Sequence, residues 1–165
     1  MNPLNGRRSV AALLVLALAL VGFASACSSS SSSSKFTQNG VTVSGAWATE
    51  AEIATGKSDV YFTITNNSGL YEKLMSVSVA TSVAKSAQIQ ESDAVDSTGG
   101  VPAMGMGQVN SIPVLSGDSV NLEPGGLHVL LMEIAAPLKA GDKIDLQLGF
   151  LNAGVMKVTA TVKAG

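Results

Sequence analysis

Short turn signals divide most of this sequence into segments of strand length. They include Asn66-Asn67-Ser68-Gly69, Ser116-Gly117-Asp118, Pro124-Gly125-Gly126, Lys139-Ala140-Gly141-Asp142 and Asn152-Ala153-Gly154. These are residue types that tight turns require, and turns that recur at roughly 8–12 residues are typical of an all-β sandwich. The spacing therefore predicts a two-sheet antiparallel β-sandwich with Greek-key connections.

The segments between the turns are rich in β-branched and apolar residues, as strands are. The predicted strands are residues 41–47, 59–65, 73–79, 84–90, 106–114, 119–122, 128–134, 143–150 and 155–162. Alternation predicts that Val41 and Val43 face the core, with Trp47 a candidate for the same face. The strands at 59–65 and 73–79 are expected to pair like a hairpin across the turn between them.

The N-terminus has the layout of a secretory signal peptide. Arg7 and Arg8 precede the apolar run 10–23, and the small residues 24–26 come directly before Cys27. This order of a positive region, an apolar region and small residues marks export and cleavage. We expect residues 1–26 to be absent from the mature protein.

Cys27 is the only cysteine, so no disulfide can form within the chain. One interpretation is a bacterial lipobox, in which Cys27 becomes the lipidated N-terminus and holds the protein on the outer face of the cell membrane. The alternative is ordinary cleavage after Ala26, which leaves a free thiol. We favour lipidation, because exposed thiols are open to oxidation.

The sequence after Cys27 predicts a tether and one domain. Residues 28–34 are seven consecutive serines, which have no apolar side chains to bury and favour a flexible spacer. We therefore assign residues 27–35 to the lipidated cysteine and its tether, and residues 36–165 to a single β-sandwich domain, which is long enough to bury a core.

The charge of the mature chain excludes several classes of protein. It has eight lysines against twelve Asp and Glu residues and no arginine, so its net charge is about −4. Nucleic-acid binding needs a cationic surface, and clamping of phosphate or carboxylate substrates usually needs arginine. No apolar run after the signal peptide approaches the ~18 residues of a membrane span. The membrane is expected to be contacted through the lipid alone.

The most distinctive chemistry lies between Met104 and Met132. This stretch holds the only histidine, His128, and three of the five methionines that follow the signal peptide, the third being Met106. Residues two apart in a strand share a face, which groups Met104 with Met106, and His128 with Leu130 and Met132. Thioether sulfur is a soft donor that favours Cu(I). The stretch predicts a copper site if its two segments meet; otherwise these methionines, Met132 above all, are core residues.

Three elements of the sequence resemble a known family. They are Ala46-Trp47-Ala48, the strand Val60-Tyr61-Phe62-Thr63-Ile64-Thr65-Asn66-Asn67, and the turn Glu123-Pro124-Gly125-Gly126-Leu127-His128. Together they are similar to elements of the PCu(A)C family of periplasmic copper chaperones, over most of residues 41–162. The resemblance implies a cupredoxin-like β-sandwich that carries Cu(I) to a copper-accepting protein, in that family the cytochrome oxidase centres of the bacterial envelope.

The resemblance also implies a ligand set, which this sequence keeps only in part. The family signature is His, ten residues, Met, twenty-one residues, then His-x-Met. Met106 and His128 match the middle pair, with twenty-one residues between them. Gln90 stands in place of the first His, before a loop about five residues longer, and Leu130 in place of the last Met. Because a glutamine amide is a poor Cu(I) donor and a leucine is none, the candidate substitutes are Met104, Met132 and Gln90.

Two functions remain open from the sequence. The first is a copper-binding lipoprotein that uses Met106 and His128 with an altered set of further ligands. The second is a lipoprotein that kept the fold, lost the metal and binds a protein partner in the envelope. An enzyme is not expected, because no nucleophile and base form a recognisable pair. A blue-copper centre is not expected either, because it needs a thiolate and two imidazoles.

Overall fold

The computed structural model describes residues 34–92 and 106–164, in which the regular secondary structure is β-strand. The strands are Lys35–Gln38 (β1), Val41–Thr49 (β2), Lys57–Asn66 (β3), Glu72–Val79 (β4), Ala84–Ser92 (β5), Met106–Gln108 (β6), Ile112–Val114 (β7), Ser119–Leu122 (β8), Leu127–Ile134 (β9), Lys143–Phe150 (β10) and Gly154–Lys163 (β11). These two stretches contain no helix that could cross a membrane. The all-β prediction is confirmed.

The strands form one continuous sheet that curls around its own core. Its main path is β6-β5-β9-β3-β2-β11-β10-β4-β7, with β1 added beside β2 and β8 beside β3. The pair β2 and β11 is parallel, and the other neighbours are antiparallel. The two layers of the cupredoxin-like sandwich are therefore two parts of one mixed sheet.

The alternation of apolar residues places the core between these two parts. The largest apolar side chains that are fully buried are Ile64, Leu74, Ile112, Leu131, Leu146, Leu148, Val41, Val43, Val60, Val114 and Val129. They come from β2, β3, β4, β7, β9 and β10, as expected when one face of each strand is apolar. The inward positions predicted for Val41 and Val43 are confirmed.

The expected pairing of β3 with β4 is wrong. β4 pairs with β10 and β7 instead, and the segment after β3 crosses between layers. Asn66 explains this, because its buried side-chain amide donates to the carbonyls of Leu70 at 2.7 Å and Val114 at 2.9 Å, while its Oδ1 accepts the N–H of Ser68 at 3.0 Å. These bonds direct the chain across the sandwich rather than back along β3.

Trp47 lies outside the core, contrary to the inward position considered for it. The register between β2 and β3 shifts between Ser44 and Trp47, and Gly45 has a φ of 67° there. This is a β-bulge, in which glycine readily adopts the left-handed conformation. The extra residue reverses the alternation, so Ala46 and Ala48 join the core and Trp47 takes the outer face.

The predicted strand 106–114 is divided into β6 and β7, which lie at opposite ends of the sheet path. The linking residue Val109 donates its N–H to the carbonyl of Ile89 at 2.9 Å. β1 was not predicted as a strand; it begins at Lys35 and pairs with β2. Its four residues include one apolar side chain, that of Phe36, which is too few to reveal a strand by alternation.

Candidate metal centre

The turn before β9 positions His128. Gly126 donates its N–H to the carbonyl of Glu123 at 3.0 Å, and Glu123 donates to the carbonyl of Leu127 at 2.8 Å. Gly125 has a φ of 81°, which glycine adopts readily. The carbonyl of Gly126 also accepts the N–H of Ser92 at 3.2 Å, which ties the turn to the end of β5.

The imidazole of His128 is buried and held in one orientation. The residue is only 4% exposed, and its Nδ1 lies 3.0 Å from the carbonyl oxygen of Gly126. A carbonyl oxygen can only accept, so Nδ1 carries the proton of this bond. In the neutral ring Nε2 then has a free lone pair, which is the arrangement found in metal-binding histidines.

Gln90 lies directly opposite His128 on the adjacent strand, β5. Directly opposite residues of an antiparallel pair share a face of the sheet, and here it is the outer face, because their neighbours Ile89 and Val129 are in the core. Gln90 is 8% exposed, and its Oε1 has no hydrogen-bond partner within the part of the chain that the structure describes. Gln90 and His128 thus project from neighbouring strands on the same face.

Met106 lies on β6, which pairs with β5 on the side away from β9. In β6 it pairs with Ser92, two residues along β5 from Gln90. The order β6-β5-β9 therefore puts Met106, Gln90 and His128 on three neighbouring strands. Met104 and Cys27 lie outside the described residues.

Met132 is neither a core residue nor close to His128 along the strand. It is half-buried on the outer face, opposite Ser86 on one side and Lys57 on the other. It is four positions along β9 from His128, a distance of about 13 Å at the rise of a strand. The interpretation of Met132 as core is wrong, because the alternation that buries Leu131 turns Met132 outward. Leu130, which lies between Met132 and His128 on the same face, is 4% exposed.

An aromatic row borders the histidine on its other side. The Tyr61 ring centroid lies 6.3 Å from that of His128, and the Trp47 centroid lies 4.6 Å from that of Tyr61. The ammonium of Lys163 lies 4.9 Å from the centre of the Trp47 ring, within the range of a cation–π interaction. This row continues the outer face over β3, β2 and β11.

Asp59 is an acidic residue of this face that was not predicted as a site residue. Its Oδ1 lies 3.9 Å from His128 Nε2, and its side chain is 38% exposed. Burial raises the pKa of Tyr61, and the neighbouring Asp59 raises it further, both by its charge and by accepting the phenol's hydrogen bond. A signal for Asp59 was present in the sequence: it is two residues before Tyr61 in a strand, so the two share a face.

The face therefore brings together one imidazole, one amide and one carboxylate. No cluster of three or more His, Cys, Asp and Glu residues suited to a metal occurs within residues 34–92 and 106–164. The candidate donors at this site are of mixed type: His128 Nε2, Gln90 Oε1 and Asp59 Oδ1. What they have in common is that each is an acceptor, which suits a cation.

Comparisons with known proteins agree with this fold. The PCuAC domain of PmoF1 in its apo form superposes with a TM-score of 0.67 at 22% identity, covering 80% of this chain and 100% of that one. The copper-bound PCuAC domain of PmoF2 gives a TM-score of 0.66 at 19% identity, covering 80% and 99%. The solution structure of CuI-DR1885 from Deinococcus radiodurans gives 0.51 at 28% identity, covering 72% and 76%.

The sequence itself matches one family model. A search of curated proteins gives no significant match. The model described as "Putative lipoprotein LpqE-like" matches residues 41–162, which include every strand from β2 to β10 and nearly all of β11. The chain therefore belongs to the LpqE-like family and has the PCu(A)C-type, cupredoxin-like fold.

Proposed function

We propose that this protein is an envelope-anchored lipoprotein that binds Cu(I) on the outer face of β5 and β9 and passes it to a copper-accepting protein. The observation that carries the proposal is the His128 ring. It is buried, and the hydrogen bond from Nδ1 to Gly126 directs the other ring nitrogen to be the metal donor. The function is one of binding and transfer, without a catalytic step.

The surroundings of His128 support this proposal. Copper is bound by the PCuAC domain of PmoF2 and by DR1885, whose folds this chain shares. Met106 keeps the family spacing from His128, and its backbone lies on the strand beyond Gln90. A thioether would supply the soft donor that Cu(I) prefers, so His128 and Met106 are the proposed pair.

The donor set is weaker than the family's. Gln90 and Leu130 occupy the other two ligand positions, and neither side chain is a good Cu(I) donor. Met132 is about 13 Å along the strand from His128, which makes it a poor substitute. Met104 remains a candidate substitute. We therefore propose weak or incomplete Cu(I) coordination, suited to release of the ion.

Anchoring through Cys27 is the second part of the proposal. The signal layout before Cys27 and the lipoprotein description of the family support it. Mass spectrometry of the mature N-terminus should show a diacylglyceryl cysteine at residue 27, and Cys27→Ala should move the protein from the membrane fraction to the soluble fraction. A free thiol at Cys27 in the mature wild-type protein would refute the anchor.

The copper part is tested by titration with Cu(I) against a competing chelator. The mature protein is used in a Cys27→Ser background, so that the thiol does not bind copper. We expect about one equivalent of Cu(I) at a histidine site, with weaker binding in His128→Ala and Met106→Leu. Met132→Leu is the matched control for Met106→Leu and should behave as the parent protein.

A second candidate function is a scaffold lipoprotein that binds a protein partner without copper. It is favoured by Leu130, which replaces the last ligand of the family with a buried apolar side chain. The same titration decides between the two functions. If the parent protein and its His128 and Met106 variants bind Cu(I) equally, or do not bind it, the scaffold function is the one that remains.

A further inference from the structure

We propose that the same site also binds a divalent ion of the borderline class, with Cu(II) preferred, through His128 Nε2, Gln90 Oε1 and Asp59 Oδ1. The inference rests on the proposed copper site and deepens it. It assigns Gln90 and Asp59 as metal ligands, and it adds a divalent ion to the monovalent copper that the site is proposed to bind.

The first observation is the amide of Gln90. Its Nε2 lies 3.5 Å from Gln88 Oε1, at the long limit of a hydrogen bond. Its Oε1 is buried without a partner within the described residues. Buried carbonyl oxygens are normally hydrogen-bonded, because leaving one unpaired costs free energy. This oxygen belongs to the residue that pairs with His128 across β5 and β9, so it is an acceptor available to a cation held by the histidine.

The second observation is the distance between Asp59 and His128. Oδ1 and Nε2 are 3.9 Å apart, too far for a hydrogen bond. Two ligands that each bond a metal at about 2.0–2.1 Å are at most about 4.2 Å apart. One ion can therefore lie between the two atoms after a small movement of the side chains. The Asp59 side chain is 38% exposed, which leaves the ion a path from solvent.

The third observation is the support that Asp59 receives. Tyr61 lies two residues from Asp59 in β3, on the same face of the sheet, and the backbone N–H of Asp59 donates to Thr49 Oγ1 at 3.0 Å. Groups that hold a ligand in place through a second hydrogen bond are usual around metal sites. The hydrogen bond to Thr49 holds the backbone of β3 at Asp59, whose side chain is on the face that carries His128.

The type of ion follows from the donors. One imidazole nitrogen and two oxygens suit divalent ions of the first transition row, whereas Cu(I) prefers thioethers and thiolates. Leu130 removes the thioether that the family places beside the histidine, which shifts the balance toward oxygen. For a given nitrogen and oxygen site, affinity is highest for Cu(II) and lower for Zn(II). The substitutions at positions 90 and 130 therefore change ion preference rather than only weaken the site.

The test compares the affinities for Cu(II) and Cu(I) of the mature protein carrying Cys27→Ser. Cu(II) is titrated with electron paramagnetic resonance and with the fluorescence of Trp47, the only tryptophan. We expect one bound Cu(II) with one nitrogen ligand, and loss of this signal in His128→Ala. Asp59→Asn, which keeps the shape and removes the charge, should weaken Cu(II) about tenfold or more, as loss of a supporting metal ligand does.

Controls separate this inference from the proposed Cu(I) function. Asp145→Asn changes a carboxylate on β10 that accepts the Thr159 hydroxyl, and it should leave Cu(II) affinity unchanged. Asp145→Asn should likewise leave Cu(I) affinity unchanged. Gln90→Leu, which removes the amide oxygen, provides a second variant if Asp59→Asn unfolds, and it should also weaken Cu(II).

Three results would overturn the inference. They are no Cu(II) binding by the parent protein, equal Cu(II) affinity in the parent and in the folded Asp59 or Gln90 variants, and tighter binding of Zn(II) than of Cu(II). If Cu(I) binds through His128 in any of these cases, the proposed function stands and only the divalent site is lost. If Cu(II) binds as expected and Cu(I) does not, the Cu(I) function is lost and the divalent site stands.

Discussion

Gln90 and His128 are directly opposite each other on β5 and β9, and both are buried on the outer face of the sheet. In the PCu(A)C signature two histidines occupy these positions. By its resemblance to that signature, the chain has an amide where an imidazole is expected, at two positions that pair across β5 and β9.

Gln90→His should restore a second imidazole beside the first. Because the backbone register already places the two residues opposite each other, we expect Cu(I) affinity to rise about tenfold or more, equivalent to about 1.4 kcal/mol or more. The measurement is a Cu(I) competition titration. Gln88→His is the matched control: it adds a histidine to the same face of β5, but opposite Leu130, so it should give the smaller gain. An equal gain from both variants would contradict the pairing.

Leu130→Met should return a thioether to the last ligand position of the signature. Leucine and methionine differ little in volume, so the cost in folding stability should be under about 1.5 kcal/mol. Cu(I) affinity should rise, since a soft donor is added two residues from His128 on the same face. Leu131→Met is the control, because Leu131 faces the core and is fully buried. If Leu131→Met raises the affinity as much, the face assignment of β9 is wrong.

Glu72→Gln should destabilise the fold. Glu72 is fully buried, and its carboxylate accepts backbone N–H groups of Lys73 at 2.9 Å, Asn152 at 2.9 Å and Ala153 at 2.8 Å. Hydrogen bonds to a charged group contribute about 1.5–3 kcal/mol, and we expect a loss of that order in urea unfolding at pH 7. Glu133→Gln, at an exposed salt bridge with Lys85, should unfold as the parent does.

The same carboxylate should make the fold sensitive to acid. Burial by itself raises the pKa of Glu72, but the N–H groups of Asn152, Lys73, Ala153 and Leu151 together hold it below its ordinary value. A lowered native pKa stabilises the fold above the ordinary pKa of glutamate, about 4.3, and this contribution is lost as pH falls through the native value. Stability measured from pH 7 to pH 3 should therefore fall less steeply in Glu72→Gln. An equal slope would mean that other carboxylates cause the acid sensitivity.

Gly40→Ala should cost more than an ordinary change at a turn. Gly40 has a φ of 81°, and a Cβ built on it would lie 2.5 Å from Ser68 Cα. Gly117→Ala is the matched control, since Gly117 has a φ of 84° with open space around it. Gly117→Ala should lose about 1–2 kcal/mol from backbone strain alone, and Gly40→Ala clearly more, as measured by urea unfolding. Equal losses would show that the turn can move away from Ser68.

Local patterns in the sequence were sufficient for the fold class and for most strands. The alternation in residues 143–150 predicted a strand, and Pro124-Gly125-Gly126 predicted the turn before the next strand. Both features depend on neighbouring residues, and both are present in the structure. The pairing of β3 was predicted wrongly, because the choice of partner depends on the contacts that Asn66 makes with Leu70 and Val114. The contact with Val114 joins residues that are 48 positions apart in the chain.

The sequence by itself determined an all-β chain with turn-bounded strands and a Pro-Gly-Gly turn that leads into His128, because these depend on the conformational preferences of neighbouring residues. Its similarity to PCu(A)C proteins indicated which residues stand at the ligand positions. Only the tertiary structure decided that Gln90 is opposite His128, that Met132 is not beside it, and that Asp59 is 3.9 Å from its Nε2. The physical reason is register: which residues meet across a sheet depends on strand order and on bulges such as the one at Gly45, and both are properties of the whole fold.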